Sequence, residues 1–419
     1  MIAAHRTLLA FALTVAPLAG FSAAASQIAS DGDEGLDRIL LADPSSDLRA
    51  YVLGSGFALE SAERLDALNL SLMVVSTPDR MRSSAALADL QVKFPHAIMA
   101  LDDPIGLARD ARSHRAVIAG PLQVLTAIAW PAGGDPAGSG IRIGAIDGSL
   151  DASHPALRGA AIVRRSFTSG QEPAADAAHG TAIAAMLVGD ASDESVSGLL
   201  RGATLFYAAI FQNGKHGPVA SSADFLRGID WLVKSGVTVI NASVTSTSRN
   251  AVVVYAMSLL PRDRLVLVAA AGNRGPSAPP VYPAALPSAF AVTAVSIRGE
   301  PYRYANTGDY IDISAPGIDL PTTSRKITSG TSLAVPFVTA AVARMIHTCG
   351  ISPAEAQSRL QSDARDLGPT GRDSHFGWGM LQALPRCGEI GGAAARKPAL
   401  PFPVRREAMR RAWPASPAD

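Results

Sequence analysis

Apolar and polar positions follow two different rhythms along this chain. From residue 140 onward, short apolar runs recur at residues 141–146, 204–210, 237–244, 265–270 and 290–295. Stretches with helical spacing lie between them, such as 223–234 and 252–260. Near-continuous apolar strands separated by helices predict an α/β domain over residues 140–387. Its sheet should be mostly parallel, with helices on both faces. Residues 26–110 predict a separate small α+β unit. Within it, 48–54 reads as a strand and 60–68 as a helix with Leu65 and Leu68 on one face. Residues 70–76 read as a strand, 84–94 as a helix and 96–101 as a strand. Residues 111–139 carry scattered Pro and Gly and read as a linker, in which 124–130 is apolar enough to dock. The tail, 388–419, is rich in Ala, Pro and Arg without apolar periodicity, which predicts disorder.

The first 25 residues form a class of their own. His5 and Arg6 precede an apolar run that ends in small residues, and Ala23 and Ala25 fit a cleavage site before Ser26. Pro17 and Gly20 interrupt the run. Residues 1–25 are therefore expected to be a cleaved export signal, leaving a secreted or periplasmic chain with no membrane association; the alternative is a membrane anchor.

Composition narrows the classes further. Hydrophobic residues make up 48% of 419, enough for a large core. The net charge of +1 gives no electrostatic basis for a nucleic-acid partner. Two cysteines, and His residues without metal-ligand spacing, exclude a Cys-rich zinc or iron–sulfur site. Export makes a Cys349–Cys387 disulfide the expected pairing, with two buried thiols as the alternative. The loop it closes is worth about 4 kcal/mol in chain-entropy terms.

Four polar residues stand at the ends of apolar elements. Asp147 closes the run GIRIGAID, at the carboxyl end of a strand where parallel sheets place ligands. His179 opens an apolar helix in HGTAIAAM. Ser332 opens another in GTSLAVPFVTAAVA, where the helix start favours negative charge. Pro336 falls early in that helix, where its missing N–H is expected to cost nothing. Asn273 follows a buried strand in LVLVAAAGN and carries an amide able to donate to an oxyanion. Each has an ordinary structural reading: a turn Asp, a core His, an N-cap Ser, a turn Asn. The set nevertheless supplies what acyl transfer needs: a nucleophile, a base, a carboxylate to orient the base, and an oxyanion donor.

The order Asp…His…Ser is that of subtilisin, and over residues 140–385 the chain resembles the subtilase family of serine proteases. Besides the Asp, His, Ser and Asn segments, DWLVKSGVTVINASV resembles the family's substrate-edge strand. YANTGDYIDISAPG and ARDLGPTGRDSHFGWGMLQA resemble its later segments. The resemblance implies a serine endopeptidase acting on proteins or peptides, with Asp147 orienting His179, His179 as general base, and Ser332 as nucleophile. It implies an oxyanion hole from the Asn273 side chain and the Ser332 N–H. It further implies a substrate cleft edged by Ser243, Val244 and Thr245 on one side and Ala270, Ala271 and Gly272 on the other. The 26–110 unit resembles the family's propeptide, an inhibitor removed by cleavage within residues 105–139. A monomer is expected. No cofactor or metal site is expected; a structural calcium ion is not readable, the loop of Asp190, Asp193 and Glu194 reading better as solvated.

The chain departs from the family at several positions. Gly148–Ser149 follows Asp147 where a hydroxyl residue and then Gly are usual. Ala182 replaces a second His, Thr245 and Ser246 replace glycines, and Leu333 replaces the Met after the nucleophile. Two other readings therefore stand beside the protease: an inactive homologue that binds peptides, and an α/β-hydrolase esterase using His347 or His375.

Overall fold

In the computed structural model the described residues are 36–78, 81–108, 119–131, 138–168, 177–190, 195–214, 217–261, 263–323, 327–384 and 387. Residues 1–25, read as an export signal, the 388–419 tail, residues 109–118 and the acidic residues Asp193 and Glu194 lie outside them.

The N-terminal region forms β1 (Leu36–Ala42), α1 (Ser46–Gly54), β2 (Ala58–Leu65), β3 (Leu70–Ser76), α2 (Ser83–Lys93) and β4 (Ile98–Asp102). Its antiparallel sheet has the order β2-β3-β1-β4. Two sequence expectations are corrected. Residues 46–54 are helical, because Ser45 caps the Leu48 N–H and the buried Leu48 and Val52 lie one turn apart. Residues 58–65 are a strand, held by pairing with β3 rather than by any alternation of their own.

Strand alternation splits the apolar side chains of this sheet between two cores. Ile39, Leu41, Met73 and Val75 face α1 and α2. Leu40, Ala42, Leu72 and Val74 face the opposite way and join a cluster with residues of the larger domain.

Before that domain come β5 (Pro104–Leu107) and α3 (Pro121–Ala127). Val124 and Ile128 are fully buried in the larger domain's core, and Arg344 lies over the Trp130 ring. The stretch read as linker thus contains a docked helix.

The larger domain runs β6 (Arg142–Asp147), β7 (Ala161–Ser166), α4 (Ala178–Val188), β8 (Thr204–Ala209), β9 (Gln212–Gly214), β10 (Gly217–Ser221), α5 (Ser222–Lys234), β11 (Val239–Ala242), β12 (Val244–Thr245), α6 (Ala251–Ser258), β13 (Val266–Ala270), β14 (Ala289–Val295) and β15 (Ile313–Pro316). A small hairpin of β16 (Leu320–Pro321) and β17 (Ile327–Thr328) precedes α7 (Thr331–Cys349) and α8 (Pro353–Asp363). Seven strands form one sheet in the order β15-β14-β13-β11-β6-β8-β7, and their pairings are parallel. One apolar cluster, with α4 and α7, covers one face; a second, with α5 and α6, covers the other. This is the α/β architecture expected from the sequence. Helix α7 is long and apolar enough to cross a membrane, but 72% of its most apolar stretch is buried inside the protein. Cys349, its last residue, is bonded to Cys387, closing a 38-residue separation.

The small sheet docks on α5 and α6 through its second apolar face and a set of polar contacts. Asp102 Oδ1 accepts the Ala223 N–H at the start of α5, 3.0 Å away, where the helix end favours a carboxylate. Asp230 Oδ1 accepts the Ala67 and Leu68 N–H groups at 2.7 and 3.2 Å. Arg227 binds Glu63 at 2.8 Å and Asp224 at 2.9 Å.

Candidate active site

Asp147 is the last residue of β6 and has no exposed surface. The strand delivers its carboxylate to the carboxyl edge of the sheet. Its Oδ1 accepts the Gly148 N–H at 2.6 Å and meets His179 Nδ1 at 2.8 Å. The second contact is charge-assisted when the ring is protonated. His179 is the second residue of α4, a helix apolar enough to be buried from Gly180 to Val188. Gly180 lets this helix start approach the turn after β6. A Cβ there would lie 2.0 Å from Tyr207 Oη and 2.4 Å from Ser149 O. The Asp147 carboxylate takes His179, not either histidine of the esterase reading. His347 stands in the last turn of α7, ~22 Å along the helix from Ser332, and His375 is exposed beside Ser374.

Ser332 is the second residue of α7 and is fully buried. Pro336 lies inside the helix, which corrects the expectation that it sits where its N–H is not needed. The carbonyl it leaves without a helical donor is that of Ser332, four residues back. Ser243 Oγ donates to that oxygen at 3.2 Å, so the residue between β11 and β12 supplies a bond there.

Asn273 follows Gly272 beyond the end of β13, and its side chain is held in one orientation. Its Oδ1 accepts both the N–H and the hydroxyl of Thr331, at 3.0 and 2.9 Å. Nδ2 is thereby turned outward and donates to the carbonyl oxygen of Ala108 at 2.9 Å. Gly272 adopts a φ of +103°, which favours glycine, and its N–H donates to Thr331 Oγ1 at 3.1 Å. The fully buried Asn306 braces the same loop. It donates its backbone N–H to Gly272 O at 3.0 Å, accepts from the Arg274 N–H at 2.9 Å, and donates Nδ2 to Pro279 O at 3.0 Å.

The chain's own β5 fills the groove between β12 and β10, antiparallel to both. Leu107 and Gly106 pair with Val244 and Thr245, and Ile105 pairs with Ala220. The Ala108 N–H donates to Ser243 O at 3.1 Å. Ile105 is buried in an apolar cluster that includes Phe225, Val253 and Leu286, with Tyr282 packed against it. Ala108 is 2% exposed, while Gly106 faces solvent. On the other side of the sheet edge, Ala271 donates its N–H to Val292 O and accepts from the Tyr310 hydroxyl at 2.8 Å. Ala270 and Gly272 are buried beside it. Burial pushes the Tyr310 phenol well up, so it remains a donor.

The structure thus brings Asp147 to His179, Ser243 to Ser332, and Asn273 to both Thr331 and Ala108. Sequence reading missed Thr331, Asn306, Tyr207 and the segment 104–108. Thr331 stood next to Ser332 in GTS and was legible as a second hydroxyl; β5 carries no periodic signal at all. Asp190 pairs with Arg201 at 3.3 Å, both exposed. Among the described residues no three His, Cys, Asp or Glu gather where they could hold a metal ion.

A parallel sheet with helices on both faces, and these residues at its carboxyl edge, define a subtilisin-like fold. The chain belongs to the subtilase family, whose model matches residues 138–379. It is 31% identical over 286 residues to the minor extracellular protease Epr of Bacillus subtilis, covering 66% of this chain and 42% of that protein. It is 32% identical over 253 residues to the thermostable alkaline protease of Halalkalibacterium halodurans, covering 59% of this chain and 67% of that one. The chain therefore spans about two fifths of the length of Epr. Among solved structures, the prenylagaramide maturation protease PagA matches with a TM-score of 0.50 at 27% identity, over 63% of this chain and 96% of that one. Fervidolysin from Fervidobacterium pennivorans matches with a TM-score of 0.66 at 18% identity, over 83% and 60% of the two chains, a likeness of fold.

Proposed function

We propose that this chain is an exported serine endopeptidase made as a zymogen and active as a monomer on proteins or peptides. One observation carries the reading: the Ala108 carbonyl receives the Asn273 amide at the end of a strand seated between β10 and β12. This is the pose of a substrate's acyl side. The 36–108 region is then an inhibitory propeptide, and Ala108–Arg109 is the bond cut in maturation.

The chemistry follows from the contacts. Asp147 holds His179 with Nδ1–H toward its carboxylate, leaving Nε2 as the base for Ser332. Ser332 Oγ attacks the carbonyl carbon, and His179 takes the proton. The oxyanion develops where the Ala108 oxygen now lies, facing Asn273 Nδ2, and the Ser332 N–H is its second donor as the family resemblance implies. His179 then protonates the departing amine, and water hydrolyses the acyl-enzyme. The name of the extracellular relative and the N-terminal export pattern support action outside the cytoplasm.

The test is a serine-directed fluorophosphonate applied to the processed protein, read by intact mass and peptide mapping. A single adduct on Ser332, absent in Ser332→Ala, is expected. No adduct would leave the peptide-binding homologue as the better reading.

A further inference from the structure

The phenol of Tyr207 stands where the two catalytic segments cross. Tyr207 lies on β8, opposite Ala145 of β6, and is fully buried beneath α4. Its hydroxyl donates to the Gly148 carbonyl oxygen at 2.9 Å. The Tyr207 hydroxyl oxygen also occupies the space that a Cβ on Gly180 would need. One hydroxyl therefore touches the residue after Asp147 and the residue after His179.

The residue it holds is one that needs holding. Gly148 donates its N–H to Asp147 Oδ1, the oxygen that also takes His179 Nδ1. Glycine has the widest backbone freedom of any residue, and this one replaces the hydroxyl residue usual in the family. Its carbonyl is buried, so without a donor it would be left unsatisfied, a cost the turn would relieve by moving. Movement at Gly148 carries its N–H off Asp147 and slackens the Asp147–His179 contact. Burial and the neighbouring Asp147 charge push the Tyr207 phenol well up, so the hydroxyl keeps its proton at any working pH.

We propose that Tyr207 is a positioning residue that pins the Gly148 turn and thereby fixes the Asp147–His179 alignment. The inference rests on the protease reading for its kinetic consequence, but not for its structural one.

Tyr207→Phe removes the hydroxyl and keeps the ring, so the core packing is preserved. Three quantities are measured: kcat and KM on a peptide substrate, the melting temperature, and the His179 titration midpoint by NMR of ring-labelled full-length protein. The expected result is a fall in kcat of about tenfold or more, because small misplacements of catalytic groups are costly, with KM within about twofold. The His179 midpoint should fall, because Asp147 is the carboxylate that stabilises the protonated ring. Adding Gly148→Ala should recover part of kcat. Its backbone suits alanine, and the new Cβ would meet nothing closer than Leu107 Cδ1 at 3.7 Å. A lower melting temperature with unchanged kcat and unchanged His179 midpoint would overturn the proposal. If the wild type turns over no peptide, the protease reading fails separately. An unchanged His179 midpoint in Tyr207→Phe would still defeat this one.

Discussion

Asn273 Nδ2 donates to the carbonyl oxygen of Ala108 over 2.9 Å, joining residues 165 positions apart in the sequence. The Ala108 N–H is held from the other side by Ser243 O. A carbonyl fixed between an amide donor and an extended strand is poised for attack from one direction. N-terminal sequencing of the protein expressed without other proteases should therefore begin at Arg109. Ser332→Ala should remain uncut. Asn273→Ala should slow processing by roughly 10²- to 10³-fold, the scale of a lost oxyanion donor. A new terminus elsewhere within 105–139 would break the link between this contact and maturation.

Gly148 has a second consequence, for activity. Asp147 Oδ2 is buried and has no hydrogen-bond partner among the described residues, so the Ser149 hydroxyl does not reach it. A Cβ at position 148 meets only the Leu107 methyls, at 3.7 and 3.8 Å, which is ordinary contact. Gly148→Ser should thus fit and offer the carboxylate the donor it lacks. We expect kcat to rise by up to about tenfold, the worth of one net hydrogen bond. Ser149→Ala should leave kcat nearly unchanged. Steady-state kinetics on a peptide with alanine before the scissile residue isolates the effect from contact with Leu107-like side chains. A fall in kcat for Gly148→Ser would mean that the turn cannot tolerate the substitution.

The parallel sheet, and the positions of the polar residues gathered at its carboxyl edge, were legible because their signals are local. Apolar runs such as 204–210 and 265–270 specify buried strands wherever they lie; Asp147 and Asn273 follow such runs, while His179 and Ser332 open apolar helices. The small N-terminal sheet was less legible. Strand β2 is mostly exposed and carries Glu60, Glu63 and Arg64, so its conformation comes from pairing with β3 rather than from its own pattern. Helix α1 has an apolar pair and a Ser cap, but its apolar residues are too few to separate helix from strand by spacing. Strand β5 exists only because β10 and β12 receive it, which no reading of Pro104, Ile105, Gly106 and Leu107 alone supplies. Thr331, Asn306 and Tyr207 act through contacts made across the fold, so their roles follow from the structure.

Leu333 is expected to leave the candidate site resistant to peroxide. It follows Ser332 directly and is 1% exposed. A methionine there would oxidise to a bulky polar sulfoxide beside Ser332, and leucine has no such chemistry. Met186, Met345 and Met380 are buried in the core, away from solvent oxidant. Activity should survive dilute peroxide for as long as the folded state does, judged by parallel assays of peptide hydrolysis and near-UV circular dichroism. Leu333→Met should introduce rapid loss of activity without unfolding. Equal sensitivity of wild type and variant would show that another residue governs inactivation.

Asp312 is expected to make the stability of the folded state depend on pH. It precedes β15, its Oδ2 accepts the Ala291 N–H at 2.9 Å, and Gln361 Nε2 approaches Oδ1 at 3.4 Å. Burial raises its carboxyl to about 6 despite that bond and the attraction of Arg372, from an ordinary value of 3.8. A raised carboxyl favours the protonated form in the folded chain. Its stabilising contribution is therefore fully present below the unfolded value, near pH 4, and is lost as pH rises through about 6. A shift of this size corresponds to about 3 kcal/mol between the two limits. Asp312→Asn keeps an acceptor for the Ala291 N–H and removes the charge. Melting temperatures of wild type and Asp312→Asn, measured from pH 4 to pH 8, should diverge as pH rises, with the variant the more stable at pH 8. Parallel curves would show that the carboxylate is solvated in the folded state, and that its burial carries no electrostatic cost.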